Sequence, residues 1–165
     1  TTLDVYSALW AAGGAHGIID YGSFAMNVMR MEKGFKGASE LTNEVTLAEA
    51  DVLRFARADK EYLGREKTLN TDLPWVCAYL EIEPDGKVDG HGGEAVKLDG
   101  KVVGSTTSVV YGQTIGKILA FAYIKPKAAK PNTVLSVTIH GKPRAARVLG
   151  EPAYDPLNLK PRTDA

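Results

Sequence analysis

The sequence predicts an α+β fold, with a helical part over residues 1–70 followed by a small antiparallel β-barrel or jelly roll over residues 71–165. The first observation is a change of period near Asn70-Thr71-Asp72, where apolar residues leave helical spacing and form short β-branched and aromatic runs. The second is Asp99-Gly100 between two such runs, a dipeptide that favours the type I′ turn of a hairpin. Five or six short strands at this spacing are typical of a closed barrel or jelly roll rather than a parallel sheet.

Two helices are predicted in the first forty residues or so. Thr2 can cap the first, because a threonine hydroxyl accepts a hydrogen bond from a free amide at a helix start. Gly13-Gly14 then supplies the left-handed stop. Ser23 is the predicted N-cap of the second helix, whose apolar residues keep helical spacing until Gly34 ends it.

Shorter elements follow. Thr46 and Glu49 have the spacing of a capping box, in which each side chain bonds the backbone amide of the other. A short helix is predicted through Arg65–Leu69. The predicted strand segments are Trp75–Ile82, Ala95–Leu98, Lys101–Gly104, Thr106–Val110, Lys117–Ile124, Val134–His140 and Arg144–Val148. Gly141-Lys142-Pro143 is the predicted turn of the last pair, and the proline-containing tail from Glu151 is predicted to be extended.

Composition limits the classes of partner. The 20 Lys and Arg residues balance the 20 Asp and Glu residues, so no net field attracts nucleic acid or anionic lipid. The longest apolar runs, such as Ile118–Ile124, are far shorter than the roughly 20 residues of a membrane-spanning helix. The one cysteine, Cys77, lies among apolar residues and is predicted to be a buried thiol. A free thiol fits the cytoplasm or the mitochondrial matrix.

Few side chains have the spacing of a catalytic or metal site. The 3 histidines stand apart from other ligand types, so neither zinc nor iron is expected. His91 lies among glycines that would let backbone approach a ligand, but a flexible loop before the hairpin is favoured because no catalytic partner is nearby in sequence. The run Gly112–Lys117 lacks the spacing of a phosphate-binding loop. It either projects Tyr111 or Gln113 over a pocket or forms a plain turn.

Arg30 and Glu32 are unusual because they are charged residues in the last turn of an apolar helix. Two residues apart, they do not share a helical face and should bind different partners. Arg30 can neutralise a carboxylate of a substrate or of the protein, since its planar guanidinium donates to two oxygens at once. Alternatively it pins the following Gly34–Gly37 loop or a domain interface by ion pairing. Trp75 and Tyr79, at alternating strand positions, are predicted to be core residues.

Five segments of the chain match, in order, the motifs of one family. They are Arg30-Met31-Glu32-Lys33-Gly34, Thr46-Leu47-Ala48-Glu49-Ala50, Lys60-Glu61-Tyr62-Leu63-Gly64-Arg65-Glu66, the stretch from Gly104-Ser105 to Gly116–Tyr123, and Glu151-Pro152-Ala153-Tyr154-Asp155-Pro156. Together they make almost the whole chain resemble the folate-dependent aminomethyltransferases, which include the glycine cleavage T-protein. The form Glu32–Lys36 is similar to the dimethylglycine and sarcosine dehydrogenases, and Ala25-Met26-Asn27 replaces the Ala-Arg-Asp triplet of the T-protein branch.

The resemblance implies that two domains share the reaction. In such a protein an FAD domain oxidises an N-methyl amine, and a folate module captures the carbon on tetrahydrofolate. Residues 1–70 would be the C-terminal part of the folate-binding domain, and residues 71–165 the C-terminal barrel domain. The partners implied are upstream FAD and folate domains and a small N-methyl amine, without nucleic acid or membrane. Arg30 and, more weakly, Tyr111 are the tetrahydrofolate contacts expected here, whereas the catalytic residues and the FAD site are expected upstream.

The chain opens at Thr1, within a helical pattern and without an initiator methionine or a targeting segment. It is therefore expected to be the later part of a longer polypeptide and to be inactive in isolation. Two alternatives remain open. The barrel is a non-catalytic docking module in an oxidase complex, or the chain belongs to a folate-dependent aminomethyltransferase or demethylase without FAD.

Overall fold

The computed structural model describes residues 1–70, 72–86 and 90–162, and the predicted boundary residue Thr71 lies outside these ranges. The helices are α1 (Thr2–Gly13), α2 (Ser23–Glu32) and α3 (Arg65–Thr68), with short 3₁₀ turns at Gly14–His16, Leu53–Phe55, Pro126–Ala128 and Lys160–Arg162. The predicted helices over the first part of the chain are confirmed, but their ends differ in detail from the prediction.

The N-cap of α1 lies one residue before the predicted position, whereas the helix ends at Gly13, as predicted. Thr1, rather than Thr2, is the N-cap, and it exchanges bonds with Asp4 in a capping box. Gly14 has a right-handed φ of −56° because the chain continues into a 3₁₀ turn. The left-handed stop is Gly17, whose φ is 69°.

The end of α2 agrees with the prediction better than its start. Gly22 is the N-cap and Ser23 is already helical. Gly34 takes a φ of 67° directly after the helix, as a C-terminal glycine should. The predicted capping box of Thr46 and Glu49 forms in both directions. It closes only one turn, and no helix follows.

Six antiparallel strands close into a barrel in the order β1-β4-β3-β2-β5-β6. They are β1 (Val76–Ile82), β2 (Ala95–Leu98), β3 (Lys101–Gly112), β4 (Lys117–Ile124), β5 (Val134–Ile139) and β6 (Lys142–Leu149). The two predicted segments between Lys101 and Val110 are one strand, because the backbone continues through a register shift between Thr106 and Ser108. The closed barrel, one of the two predicted architectures, is therefore confirmed.

The hairpin turns follow the positive φ angles of the chain. Asp99 and Gly100 have φ angles of 49° and 77°, which is the predicted type I′ geometry. The last hairpin turns at His140 and Gly141, with φ angles of 48° and 77°. The prediction of Gly141-Lys142-Pro143 was wrong, since Lys142 and Pro143 already pair in β6.

The strand β4 explains how helix and barrel join. Its even-numbered residues, such as Ile118 and Ala120, fill the barrel interior. Leu119 and Phe121 face outward, where they pack with Met31 of α2. Because α2 covers the outer wall here, β4 is buried on both faces.

Other large apolar side chains lie on the surface. Every residue of α1 except the partly buried Gly13 is exposed, and Leu3 and Leu9 are 70% and 63% accessible. Trp75 precedes β1 and is 38% exposed, so its prediction as a core residue was wrong. Tyr79, by contrast, packs on Phe121 at 5.0 Å between ring centroids.

None of the helices in the described ranges combines the length and apolar character needed to cross a membrane.

Candidate functional site

Arg30 lies at the junction of α2 and the barrel. Its Nε donates to Asn27 Oδ1 at 2.9 Å, and Nη1 donates to the Phe35 carbonyl at 3.1 Å and to Glu40 Oε2 at 2.8 Å. Nη2 donates to Ser108 Oγ at 2.9 Å. The bond to the Phe35 carbonyl holds the loop after α2 in place, which is the structural role predicted for this arginine as the alternative to ligand binding. One N–H of Nη2 has no bond among the described residues.

Glu40 is the anion that pairs with Arg30 at this junction. It has no exposed surface. Its Oε1 accepts from the hydroxyls of Thr107 at 2.7 Å and Ser108 at 2.6 Å, while Oε2 accepts from the Gly37 amide at 2.8 Å in addition to Arg30. All of its acceptor positions are therefore used, so Glu40 is a structural anion and not a free base.

The ionised form of Glu40 is the stable one. Burial raises the pKa of the carboxyl, but the hydrogen bonds from Ser108, Thr107 and the Gly37 amide, with the charge of Arg30, outweigh burial and hold the pKa below its usual value. A side chain at Gly37 would place its Cβ 3.1 Å from Arg30 Cζ. The guanidinium would have to move by a few tenths of an ångström to accommodate it, so a glycine fits best where the loop passes Arg30.

Glu32 binds a different part of the barrel, as the helical spacing predicted. Its Oε1 accepts from the Thr114 amide at 2.7 Å, in the turn between β3 and β4. Tyr79 of β1 donates its hydroxyl to the Met31 carbonyl at 2.6 Å. These contacts hold the last turn of α2 on β1 and on the turn between β3 and β4.

The C-terminal tail returns to the same helix end. The Tyr154 amide donates to the Glu32 carbonyl at 3.0 Å. Lys33 Nζ donates to the Asp155 carbonyl at 2.9 Å and to Asn158 Oδ1 at 3.1 Å, and pairs with Asp155 Oδ2 at 3.2 Å. The tail is therefore anchored and not simply extended, which corrects the prediction for the segment after Glu151.

Motifs that are distant in sequence thus meet at one place. Arg30 and Glu32 come from the first motif, and Thr107 and Ser108 follow Gly104 in the barrel motif. The Tyr123 hydroxyl donates to the Glu40 carbonyl at 2.7 Å. Because each of these residues bonds another segment of the chain, their observed role is to join the helical part to the barrel. We call this set, with Glu40, the Glu40 junction.

The remaining predicted site residues lie elsewhere. Tyr111 is partly buried and packs against the barrel interior. The run Gly112–Lys117 is the tight turn between β3 and β4, with a φ of 68° at Gly116. The ring of His91 lies edge-on to that of His140, at 5.4 Å between centroids. Across residues 1–70, 72–86 and 90–162, no three His, Cys, Asp or Glu side chains come together to hold a metal ion.

Cys77 is a structural thiol. It is 2% exposed, as predicted, and packs beneath α2. Burial raises the pKa of the thiol to about 12, so it carries almost no thiolate near neutral pH. Nucleophilic chemistry at this cysteine is therefore disfavoured.

Two clefts open beside the Glu40 junction. The larger, of about 450 Å³, runs over the outer barrel wall between the loop after α2 and the tail, past Lys36, Arg54, Tyr79 and Pro152. Lys36 is already paired with Asp51 at 3.2 Å. The smaller cleft, of about 280 Å³, lies between the Thr46 turn and the start of β1.

Sequence reasoning did not identify Glu40. It lies in an irregular loop and matches no motif, and its partner Ser108 is 68 residues away. The one available signal is chemical. An arginine in the last turn of an apolar helix needs an anion when it is largely buried, and Glu40 is the first acidic residue after Glu32.

Two family models match most of the chain. The model described as the GCVT N-terminal domain matches residues 1–60. The model described as the glycine cleavage T-protein C-terminal barrel domain matches residues 76–155.

Relatives and a solved structure agree with these models. A mitochondrial dimethylglycine dehydrogenase of Mus musculus is 33% identical over 90% of this chain, and a probable aminomethyltransferase of Thermococcus kodakarensis is 30% identical over 93% of it. The chain spans only 18% of the first relative and 42% of the second. The crystal structure of the glycine cleavage system aminomethyltransferase T from Bartonella henselae superposes with a TM-score of 0.64 over 80% of this chain and 38% of its own, at 19% identity, which shows a shared fold.

Proposed function

Because the chain belongs to the glycine cleavage T-protein family, we propose that it is the C-terminal part of a tetrahydrofolate-linked module that accepts a one-carbon unit. In this proposal, residues 1–70 complete the folate-binding domain and residues 71–165 form the barrel domain. The family is one of folate-dependent aminomethyltransferases, so tetrahydrofolate is the acceptor that we infer. The Glu40 junction would hold the barrel against the folate-binding part.

The similarity to a dimethylglycine dehydrogenase supports an FAD-linked enzyme as the whole protein. An FAD domain would oxidise an N-methyl amine such as dimethylglycine or sarcosine, and tetrahydrofolate would take up the oxidised carbon. The chain spans about a fifth of that relative. We therefore place the flavin, the substrate site and the catalytic groups in the rest of the polypeptide, within the mitochondrial matrix or the cytoplasm.

The exposed apolar surface of the first helices is the observation that carries this proposal. Tyr6 and Trp10 of α1 stack at 5.9 Å between ring centroids, yet both are exposed. Phe24 and Met29 of α2 are 60% and 50% accessible. Burial of such side chains contributes about 1.5–3 kcal/mol each, so this surface favours a covering domain. We propose that the remainder of the folate-binding domain covers it.

The contacts of Arg30 and Tyr111 with tetrahydrofolate are part of the proposal, but the two residues fit it poorly. Arg30 already donates four hydrogen bonds and keeps a single N–H of Nη2 for a ligand. Tyr111 packs on the barrel interior. We therefore assign them to the edge of a folate site that the rest of the polypeptide completes, and derive no chemical step through either.

Tetrahydrofolate binding by the intact polypeptide tests the proposal. We expect saturable binding by calorimetry, and its absence would overturn the hypothesis that the chain belongs to a one-carbon acceptor module.

Substitution of Arg30 by Ala separates the two roles of this residue. A ligand contact lowers folate affinity, whereas unchanged affinity with a lower melting temperature leaves only the structural role. Asn27→Ala, which removes a single bond to Arg30 Nε, is the matched control.

A second candidate is an aminomethyltransferase without FAD. It is favoured by the archaeal probable aminomethyltransferase, of which the chain covers 42%, a larger share than of the dehydrogenase. The two candidates differ in one observable. The purified polypeptide shows flavin absorbance in the first case and none in the second.

A further inference from the structure

The smaller cleft has features that the proposed function does not use. It lies beside the Glu40 junction and has a volume of about 280 Å³, close to the lower end of small-molecule sites. Four separate segments of the chain form it. Its lining residues are Glu44, Val45, Glu49, Trp75, Gly104, Ser105 and Tyr123.

The charged groups of this lining are both carboxylates. Oε2 of Glu49 is used by the Thr46 amide and hydroxyl at 2.8 and 2.9 Å, which leaves Oε1 without a bond among the described residues. The exposed carboxylate of Glu44 likewise accepts no bond from them. Tyr123 is neutral, because burial raises the pKa of its phenol. The cleft therefore presents negative charge.

Trp75 provides an aromatic surface that already binds a cation. Lys125 Nζ lies 3.7 Å from its ring centroid, a short cation–π distance. Lys125 is not one of the residues that line the cleft, whereas Trp75 is. This contact within the chain shows that the indole can hold an ammonium group at this position.

We propose that the cleft binds a small organic cation, namely a primary or methylated ammonium group. The Trp75 ring would contact the ammonium, while Glu49 Oε1 and Glu44 would compensate its charge. The two carboxylates repel a ligand whose own carboxylate is next to the nitrogen, so amino acids should be excluded. The site is thus separate from an N-methyl amino acid site and does not depend on the proposed function.

Nuclear magnetic resonance of the ¹⁵N-labelled chain tests this site, because the sequence contains only 2 tryptophans. The probe is tetramethylammonium chloride at constant ionic strength, and tert-butanol serves as a neutral molecule of similar size. We expect a saturable shift of the Trp75 indole signal with the cation alone, while the Trp10 signal on α1 stays in place. No saturable shift, an equal response to tert-butanol, or equal shifts of both indoles would overturn the proposal.

Matched variants test the chemistry of the lining. Glu49→Gln keeps an oxygen for the capping box but removes the charge, and should weaken binding at least threefold. Lys125→Met should strengthen binding severalfold, because it removes a positive charge next to the ring. Glu151→Gln neutralises an exposed carboxylate of the larger cleft and should change nothing. Equal affinity in all three variants, with barrel amide signals confirming the fold, would refute the assignment.

Discussion

Substitution of Glu40 by Gln should destabilise the protein more than any conservative change on its surface. Glutamine keeps the shape of the side chain but loses the charge that faces Arg30. Its oxygen can still accept from the Gly37 amide and from Arg30. Its NH₂ group then faces the hydroxyls of Thr107 and Ser108, which both donate to Glu40 in the native protein. The Ser108 hydroxyl therefore loses its acceptor, whereas Thr107 can still donate to the Phe121 carbonyl at 3.3 Å.

The size of the effect follows from burial. Glu40 has no exposed side-chain surface and Arg30 has 18%. Breaking a buried pair by removing one charge costs about 3–5 kcal/mol, and the partial exposure of Arg30 places the expected loss near the lower limit. We expect a decrease of about 3 kcal/mol in the free energy of unfolding. For a chain of this length, that corresponds to a fall of roughly 6–12 °C in the melting temperature.

The pH dependence gives an independent check. The folded state lowers the pKa of Glu40, so the group adds stability above its unfolded pKa of about 4.3. That stability is lost as the pH falls through the folded pKa. The difference between the native protein and Glu40→Gln should therefore be complete at about pH 7 and shrink below about pH 4.

Urea denaturation followed by circular dichroism, at about pH 7 and about pH 3.5, measures both quantities. Glu44→Gln is the matched control, because it makes the same change at an exposed carboxylate that binds no described residue. We expect the control to stay within about 0.5 kcal/mol of the native protein. A loss below about 0.5 kcal/mol for Glu40→Gln, or a loss that does not depend on pH, would refute the reasoning.

Three further substitutions or treatments test other parts of the structure. Lys33→Met removes the bonds to the tail, including the 3.2 Å pair with Asp155, and should speed chymotryptic cleavage after Tyr154, Leu157 and Leu159; an unchanged rate would contradict the anchoring. Arg144→Met should leave the free energy of unfolding unchanged or raise it by about 1 kcal/mol, because Arg144 Nε and Nη1 are buried without a partner among the described residues; a loss of about 2 kcal/mol would contradict this. Maleimide should label Cys77, with its thiol pKa raised to about 12, only at the rate of unfolding, and rapid labelling of the folded protein would contradict its burial.

Local features of the fold could be predicted because short-range chemistry determines them. Asp99-Gly100 favours positive φ at both positions, so the hairpin around it was identified correctly. The end of α2 at Gly34 follows from the same conformational freedom. Lys101–Gly112 was divided into two strands because a register shift in the ladder has no signal in the apolar pattern.

Long-range contacts could not be predicted, since nothing near a residue in sequence specifies its partner across the fold. Arg30 was identified as unusual, but its bond to Ser108 joins residues 78 positions apart. Glu40 was missed for the same reason. Trp75 has the large aromatic side chain typical of a core residue, yet it lies one position before β1, where the barrel wall does not cover it. Aromatic content indicates burial only where a neighbouring element supplies the cover.

The most direct test of the proposed function is the fate of the oxidised carbon in the intact polypeptide. The measurement follows free formaldehyde during oxidation of dimethylglycine or sarcosine, with and without tetrahydrofolate. We predict that tetrahydrofolate lowers free formaldehyde and that the missing carbon is recovered as methylene-tetrahydrofolate. Equal formaldehyde release with and without tetrahydrofolate would contradict the assignment of this chain to a one-carbon acceptor module.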